Sequence, residues 1–121
     1  MADGNCDFLI CFRHPDVKSI LDEDRYDRKD VGVEKLIPVV QKKAMTSNGW
    51  EFSHPIGKSL PYLAYDRSSF LGLVVEHILK KHHAELDAVY VDDLAEAIKQ
   101  RALSGAGVAW LPKSSILTEL K

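Results

Sequence analysis

Tyr90–Pro112, YVDDLAEAIKQRALSGAGVAWLP, is the stretch whose reading decides the fold. It reads as the end of one strand, a helix, a glycine turn and a short second strand closed by proline. Asp93 can serve as N-cap, with Glu96 three residues on completing an acidic capping box. Leu94, Ala97, Ile98 and Ala102 recur at helical spacing on one face. Gly105 and Gly107 stop the helix, because glycine accepts left-handed geometry without a Cβ penalty. Val108–Leu111 is an apolar run, as expected of a strand buried on both faces. The whole is a βαβ unit, and such units are right-handed almost without exception.

Working outward, Leu86–Val91 is the strand that feeds this unit. Before it, Phe70–Lys81 predicts a helix with an apolar face of Leu71, Val74, Val75, Ile78 and Leu79. Lys80, Lys81, His82 and His83 crowd its C-terminal end, where positive charge suits the helix dipole. Leu60–Tyr65 is a further strand. From Leu60 onward, strands and helices alternate, the pattern of an α/β fold: a mostly parallel open sheet flanked by helices. A last short helix is expected from Lys113, with Ser114 or Ser115 near its cap.

The N-terminal part is less regular. Asp7–Phe12 is a short apolar run that reads as a strand ended by Pro15. Asp16–Asp30 carries mixed charge and reads as a solvated loop. Asp22, Asp24 and Asp27 lack the glycine and closing glutamate of a calcium loop. Val31–Val40 is β-branched and strand-like, but Pro38 argues against a central place in a sheet. Gln41–Ser59, punctuated by Asn48-Gly49, Pro55 and Gly57, reads as a turn and a short hairpin arm. Residues 1–30 are expected to be a strand and charged loop apart from a main domain over 31–121, a division that the family resemblance given below implies.

Composition excludes several classes. The 121 residues are 45% hydrophobic and 28% charged, with a formal net charge of −2, ordinary for one soluble domain. That balance gives no basic footprint for nucleic acid. No apolar run reaches the length of a membrane span, and no basic n-region precedes the first apolar run. Two cysteines are too few for a disulfide framework. Cys6 and Cys11 would point to opposite faces of a strand. A cytoplasmic location follows.

In an open parallel sheet, ligands bind at the carboxyl ends of strands against helix N-termini. That rule selects two turns. Tyr65–Phe70 offers hydroxyls, the Arg67 cation and free backbone N–H groups, suited to an anionic or polar group. Val91-Asp92-Asp93 is the second, beside it if the strands are neighbours. Capping competes with binding as the use of Asp66, Ser68 and Asp93. Enzyme motifs are missing: there is no GxGxxG, Walker loop or GxSxG. His77, His82 and His83 supply no third ligand for a metal. No cofactor or metal is expected. Cys6, Cys11 and Met45 are candidates for oxidation, weighed against burial as small core groups.

VDDLAEAIKQRALSGAGVAWLPKSSI resembles the end of the effector-binding domain of LysR-type transcriptional regulators. CDFLICFRHP resembles the strand leaving the first subdomain, KLIPVV the strand opening the second, and PYLAYDRSSFLG its strand-to-helix corner. FRHP, LDEDRYD, LIPV and PYLAY together are closest to the branch that includes hypochlorite-responsive regulators. The resemblance covers Cys6 to Leu117, with Gln41–Ser59 its poorest part. It implies the second subdomain of a type II periplasmic-binding-protein-like domain, part of a regulator and not an enzyme. It also implies a small-molecule or oxidant effector held in a cleft between subdomains. Asp66, Arg67, Ser68, Ser69, Phe70, Asp92 and Asp93 would form one cleft wall, and Arg13 and His14 would lie near the hinge. The chain is expected to self-associate, and to reach DNA only through a helix-turn-helix that this sequence lacks. The alternative is a small self-associating α/β ligand-binding protein with no DNA-binding partner domain.

Overall fold

The computed structural model describes residues 7–18, 24–50, 60–82 and 86–120. Cys6, Asp22, Phe52, Pro55, Gly57 and His83 lie outside them. The chain divides into two compact units between Val33 and Glu34. In the first, the described residues pair only at an isolated antiparallel bridge, His14↔Val17, closed by Val17 N donating to His14 O at 3.3 Å. The strand expected at Asp7–Phe12 does not form: Phe8 is 92% and Ile10 89% exposed, and no ladder partner among the described residues satisfies that backbone. An apolar run specifies a strand only where a neighbouring strand takes up its N–H and C=O groups.

The second unit runs β1 (Leu36–Val39), α1 (Lys42–Asn48), β2 (Leu60–Tyr65), α2 (Phe70–His82), β3 (Leu86–Asp92), α3 (Ala95–Leu103) and β4 (Ala109–Pro112), then a 3₁₀ turn, Lys113–Ile116. β2 and β3 pair in parallel, and β1 and β4 antiparallel. A single parallel bridge, Tyr62↔Val108, joins the two pairs. It rests on Leu63 N donating to Val108 O (2.8 Å) and Val108 N to Pro61 O (2.9 Å). The resulting order is β1-β4-β2-β3, an α/β fold of small sheets flanked by helices.

Lys113 N donates to Lys35 O at 2.8 Å, which makes 35/113 a hydrogen-bonded pair of the β1–β4 ladder. Alternation then puts Pro38/Trp110 and Leu36/Pro112 at non-bonded positions, so neither proline withholds an N–H from this ladder. β1 is accordingly an outer strand, as Pro38 required. β2 is the central strand, with Tyr62, Leu63, Ala64 and Tyr65 all buried. Leu63, Val75, Ile98, Val108 and Leu111 are the most deeply buried large side chains.

Two local readings change. Asn48-Gly49 ends a helix instead of turning a hairpin. Gly49 sits at φ 65°, with Trp50 N on Met45 O and Gly49 N on Thr46 O, the paired bonds of a Schellman ending. The same ending closes α3, where Gly105 has φ 85° and Ala106 N reaches Arg101 O. At the start of α3 the expected Asp93–Glu96 capping box is absent. The N-cap is Leu94, itself 63% exposed, and no side chain caps it. The buried face is therefore Ala95, Ile98 and Ala102, turned by one position from the periodicity reading.

Candidate functional site at the carboxyl ends of β2 and β3

From β2 the chain crosses to its neighbour β3, then returns past β2 to β4. Right-handed crossovers in opposite directions place α2 and α3 on opposite faces of the sheet. α2 packs on β2, while α3 packs on β2, β3 and β4. The chain thus leaves the adjacent carboxyl ends of β2 and β3 toward opposite faces, the arrangement that opens a ligand crevice in α/β sheets. Asp66 N donates to Asp92 O at 2.9 Å, so the two turns picked from the sequence are in contact.

At the β2 corner, Asp66 Oδ1 accepts both Ser68 N (2.8 Å) and Ser68 Oγ (2.6 Å). Ser69 Oγ donates to Asp66 O (2.6 Å) and accepts Gly72 N (3.0 Å). Both serine hydroxyl protons are spent on this cap, leaving only acceptor capacity toward a ligand. The Ser68 hydroxyl, then its backbone N–H, holds the Asp66 carboxyl below its usual 3.8. Phe70 N and Leu71 N, in the first turn of α2, have no acceptor among the described residues. Arg67 is exposed and has no partner among the described residues. The corner therefore presents backbone donors and one cation beside an ionised carboxylate whose Oδ1 is satisfied by Ser68.

At the β3 corner, Asp92 Oδ1 accepts Leu94 N (2.9 Å) and Oδ2 accepts Tyr90 Oη (2.8 Å). The Leu94 N–H, then the tyrosine hydroxyl, lowers the Asp92 pKa from its usual 3.8. The Arg101 guanidinium stands 4.5 Å from the Tyr90 ring centroid, bracing the tyrosine from α3. Tyr90, Arg101 and the Leu71 N–H escaped the sequence reading. The spacing of Tyr90 and Asp92, two apart and so on one strand face, was the available signal for the first.

Gly72 explains how the corner closes. A Cβ there would run into the Asp66 carbonyl, so only glycine lets the first turn of α2 approach this loop. Asp66, Ser68, Ser69, Phe70 and Asp92 come together in this way, with Arg67 and Asp93 exposed at the rim. Arg13 and His14 belong to the first unit, at the bridged turn where Asp16 N donates to His14 Nδ1 (3.1 Å). Cys11 is exposed, which removes the reading of it as a core group. Among the described residues no cluster of His, Cys, Asp or Glu fits a metal ion, and no helix is long and apolar enough to cross a membrane.

No family profile matches the chain. It is 28% identical over 122 aligned residues, its whole length, to the HTH domain-truncated transcriptional regulator QseD of Escherichia coli O157:H7, covering 48% of that protein. The HTH-type transcriptional regulator YjiE of E. coli K12 gives the same identity, with 38% of its length covered. The chain thus spans half or less of these relatives. Among solved structures, the apo regulatory domain of HypT from Salmonella typhimurium superposes with a TM-score of 0.61 at 27% identity, over 72% of this chain and 41% of that one. That domain is also known with a bromide ion bound, and full-length HypT is described as hypochlorite-specific. The LysR family regulator VV2_1132 gives a TM-score of 0.55 at 37% identity, over 72% of this chain and 25% of that one. The chain is thus similar in sequence to part of these transcriptional regulators and in fold to the regulatory domains of LysR-type regulators.

Proposed function

We propose that the chain is the effector-binding and oligomerisation part of a LysR-type regulator, with a small polar or anionic effector held at the carboxyl ends of β2 and β3. The observation that carries this reading is the crevice itself. Adjacent parallel strands send their chains to opposite faces there, and Phe70 N, Leu71 N and Arg67 beside it have no partner among the described residues. The bound bromide in a relative's regulatory domain supports an anion as occupant. Asp66, Arg67, Ser68, Ser69, Phe70, Asp92 and Asp93 form this wall. Residues 1–30 act as the linking segment, with Arg13 and His14 near the hinge. DNA contact belongs to a helix-turn-helix outside this sequence, and the setting is the cytoplasm.

Self-association is supported by β3, an outer strand whose Val89 and Val91 are each more than half exposed. The test of the effector site is a bromide titration followed by amide NMR. Saturable shifts are expected at Phe70 and Leu71, and Arg67→Gln should weaken them several-fold. Shifts spread evenly over the chain, or absent from those two amides, would remove the crevice as an anion site.

A further inference from the structure

A second recess lies in the same unit, away from the crevice. β1 is antiparallel to β4, with Val39 opposite Ala109, so Val39–Lys42 lies at the amino end of the sheet. There the C-terminal half of α3, the start of α1 and the turn after β4 line an open recess of about 240 Å³. Its wall is apolar: Val39, Leu103, Leu111, Ile116 and Leu120. Gln41 Nε2 donates to Leu103 O (2.7 Å) and ties the β1–α1 junction to the end of α3.

One cation reaches into this apolar wall. The Lys99 side chain is only 15% exposed, and its ammonium donates to Ser115 O (2.8 Å) and pairs with Glu119 Oε1 (2.9 Å). An ammonium has three N–H groups, and the third has no acceptor among the described residues. Lys42, also lining the recess, is exposed and has no partner among the described residues. Lys42, Lys99 and Glu119 line the polar end of the recess, and Glu96 also acts on Lys99, so the cationic feature a ligand would meet is the third N–H of the Lys99 ammonium. Glu119 sits on the C-terminal turn and is 31% exposed, so another carboxylate can take its place on Lys99.

We infer that this recess binds an aliphatic monocarboxylate of about eight carbons, its chain on the Val39–Leu111–Ile116 wall and its head on Lys99. Size sets the chain length: benzene, with six carbons, occupies a dry apolar cavity of about 150 Å³, so 240 Å³ takes roughly ten non-hydrogen atoms. Octanoate has that number. Charge sets the head, because a carboxylate gains a charge-assisted bond that a neutral head does not. The inference stands apart from the effector reading, since the crevice meets α3 at its N-terminal end and the recess at its C-terminal half.

The test uses the full chain with labelled methyl groups, titrated with octanoate, octanamide and acetate. Octanoate is expected to shift the Val39, Leu103, Leu111, Ile116 and Leu120 methyls saturably, at about millimolar concentration or below. Octanamide, equal in shape but uncharged, should bind about tenfold more weakly, and acetate should leave these methyls unmoved. Lys99→Met should weaken octanoate about tenfold and leave octanamide unchanged. Glu119→Gln should tighten octanoate, because it removes the competing carboxylate. If Glu119 serves only to pin the wall, the same change weakens binding, and the head-group assignment fails. Equal binding of octanoate and octanamide overturns it as well. The absence of saturable methyl shifts up to about 10 mM overturns the site itself.

Discussion

Replacing Tyr65 by phenylalanine removes one oxygen atom from the middle of the fold and tests how β2 and β4 are held. Tyr65 is 3% exposed, and its hydroxyl donates to Trp110 O at 2.7 Å across 45 residues of sequence. Trp110 lies at a non-bonded position of the β1–β4 ladder, so its carbonyl faces β2. A continuous parallel ladder would satisfy it from the backbone, yet β2 and β4 share only the bridge at Tyr62↔Val108. The two strands part beyond that level, where the β2–β3 register also shifts, and the phenol spans the gap. Phenylalanine keeps the ring's burial but leaves the carbonyl unpaired. The cost is the net bond plus the desolvation of a buried acceptor, about 2 kcal/mol.

Urea unfolding followed by tryptophan fluorescence measures this directly. Trp110 reports on the same strand, packed edge-on to Tyr62 at 5.7 Å. A fall of about 2 kcal/mol, or a drop in Tm on the order of 10 °C, is expected. Tyr62→Phe is the control: its hydroxyl has no hydrogen-bond partner among the described residues, and the change should alter stability by less than about 0.5 kcal/mol. An alkaline arm adds the sign. Burial raises the pKa of Tyr65, and that of Tyr62 to about 12, so the folded state favours both phenols. Their contribution is complete below the ordinary value of 10 and is lost as pH rises through the raised values. A Tyr65→Phe protein as stable as wild type would refute the idea that this hydroxyl joins the two strand pairs.

Gly72→Ala should destabilise the unit by roughly 2–3 kcal/mol, since its Cβ meets a backbone carbonyl and not a flexible side chain. Amide shifts should concentrate between Asp66 and Leu71, and a change confined to the middle of α2 would contradict that account. Acid should weaken the fold through four carboxyls held below their ordinary values: Asp66 by Ser68, Asp92 by Leu94 N–H, Glu34 by the Ser114 hydroxyl and Glu119 by Lys99. A lowered folded pKa gives stability that is present above the ordinary 4.5 and 3.8 and lost as pH falls through them and below. Melting curves of Asp66→Asn between pH 6 and about 3 should be flatter than wild type, and an unchanged slope would count against the Asp66 cap.

Which parts of the molecule the chain settled locally, and which it did not, follows from the range of the forces involved. β2, α2 and α3 were legible because an apolar face at helical spacing, a β-branched or aromatic run, and a glycine able to take φ 85° are properties of neighbouring residues. The two turns at the carboxyl ends of β2 and β3 were located for the same reason, once the alternation implied parallel strands. Asn48-Gly49 was misread because one dipeptide serves a hairpin and a helix ending equally well, and only distant packing of Ala44 in the unit selects the helix. Phe8–Phe12 has the composition of a strand, but a strand is half of a pair. That Asp66 meets Asp92, that Tyr65 reaches Trp110, and that Lys99 and Glu119 line one end of a recess are consequences of strand order. Strand order is set by contacts between residues far apart in sequence, which no local pattern encodes.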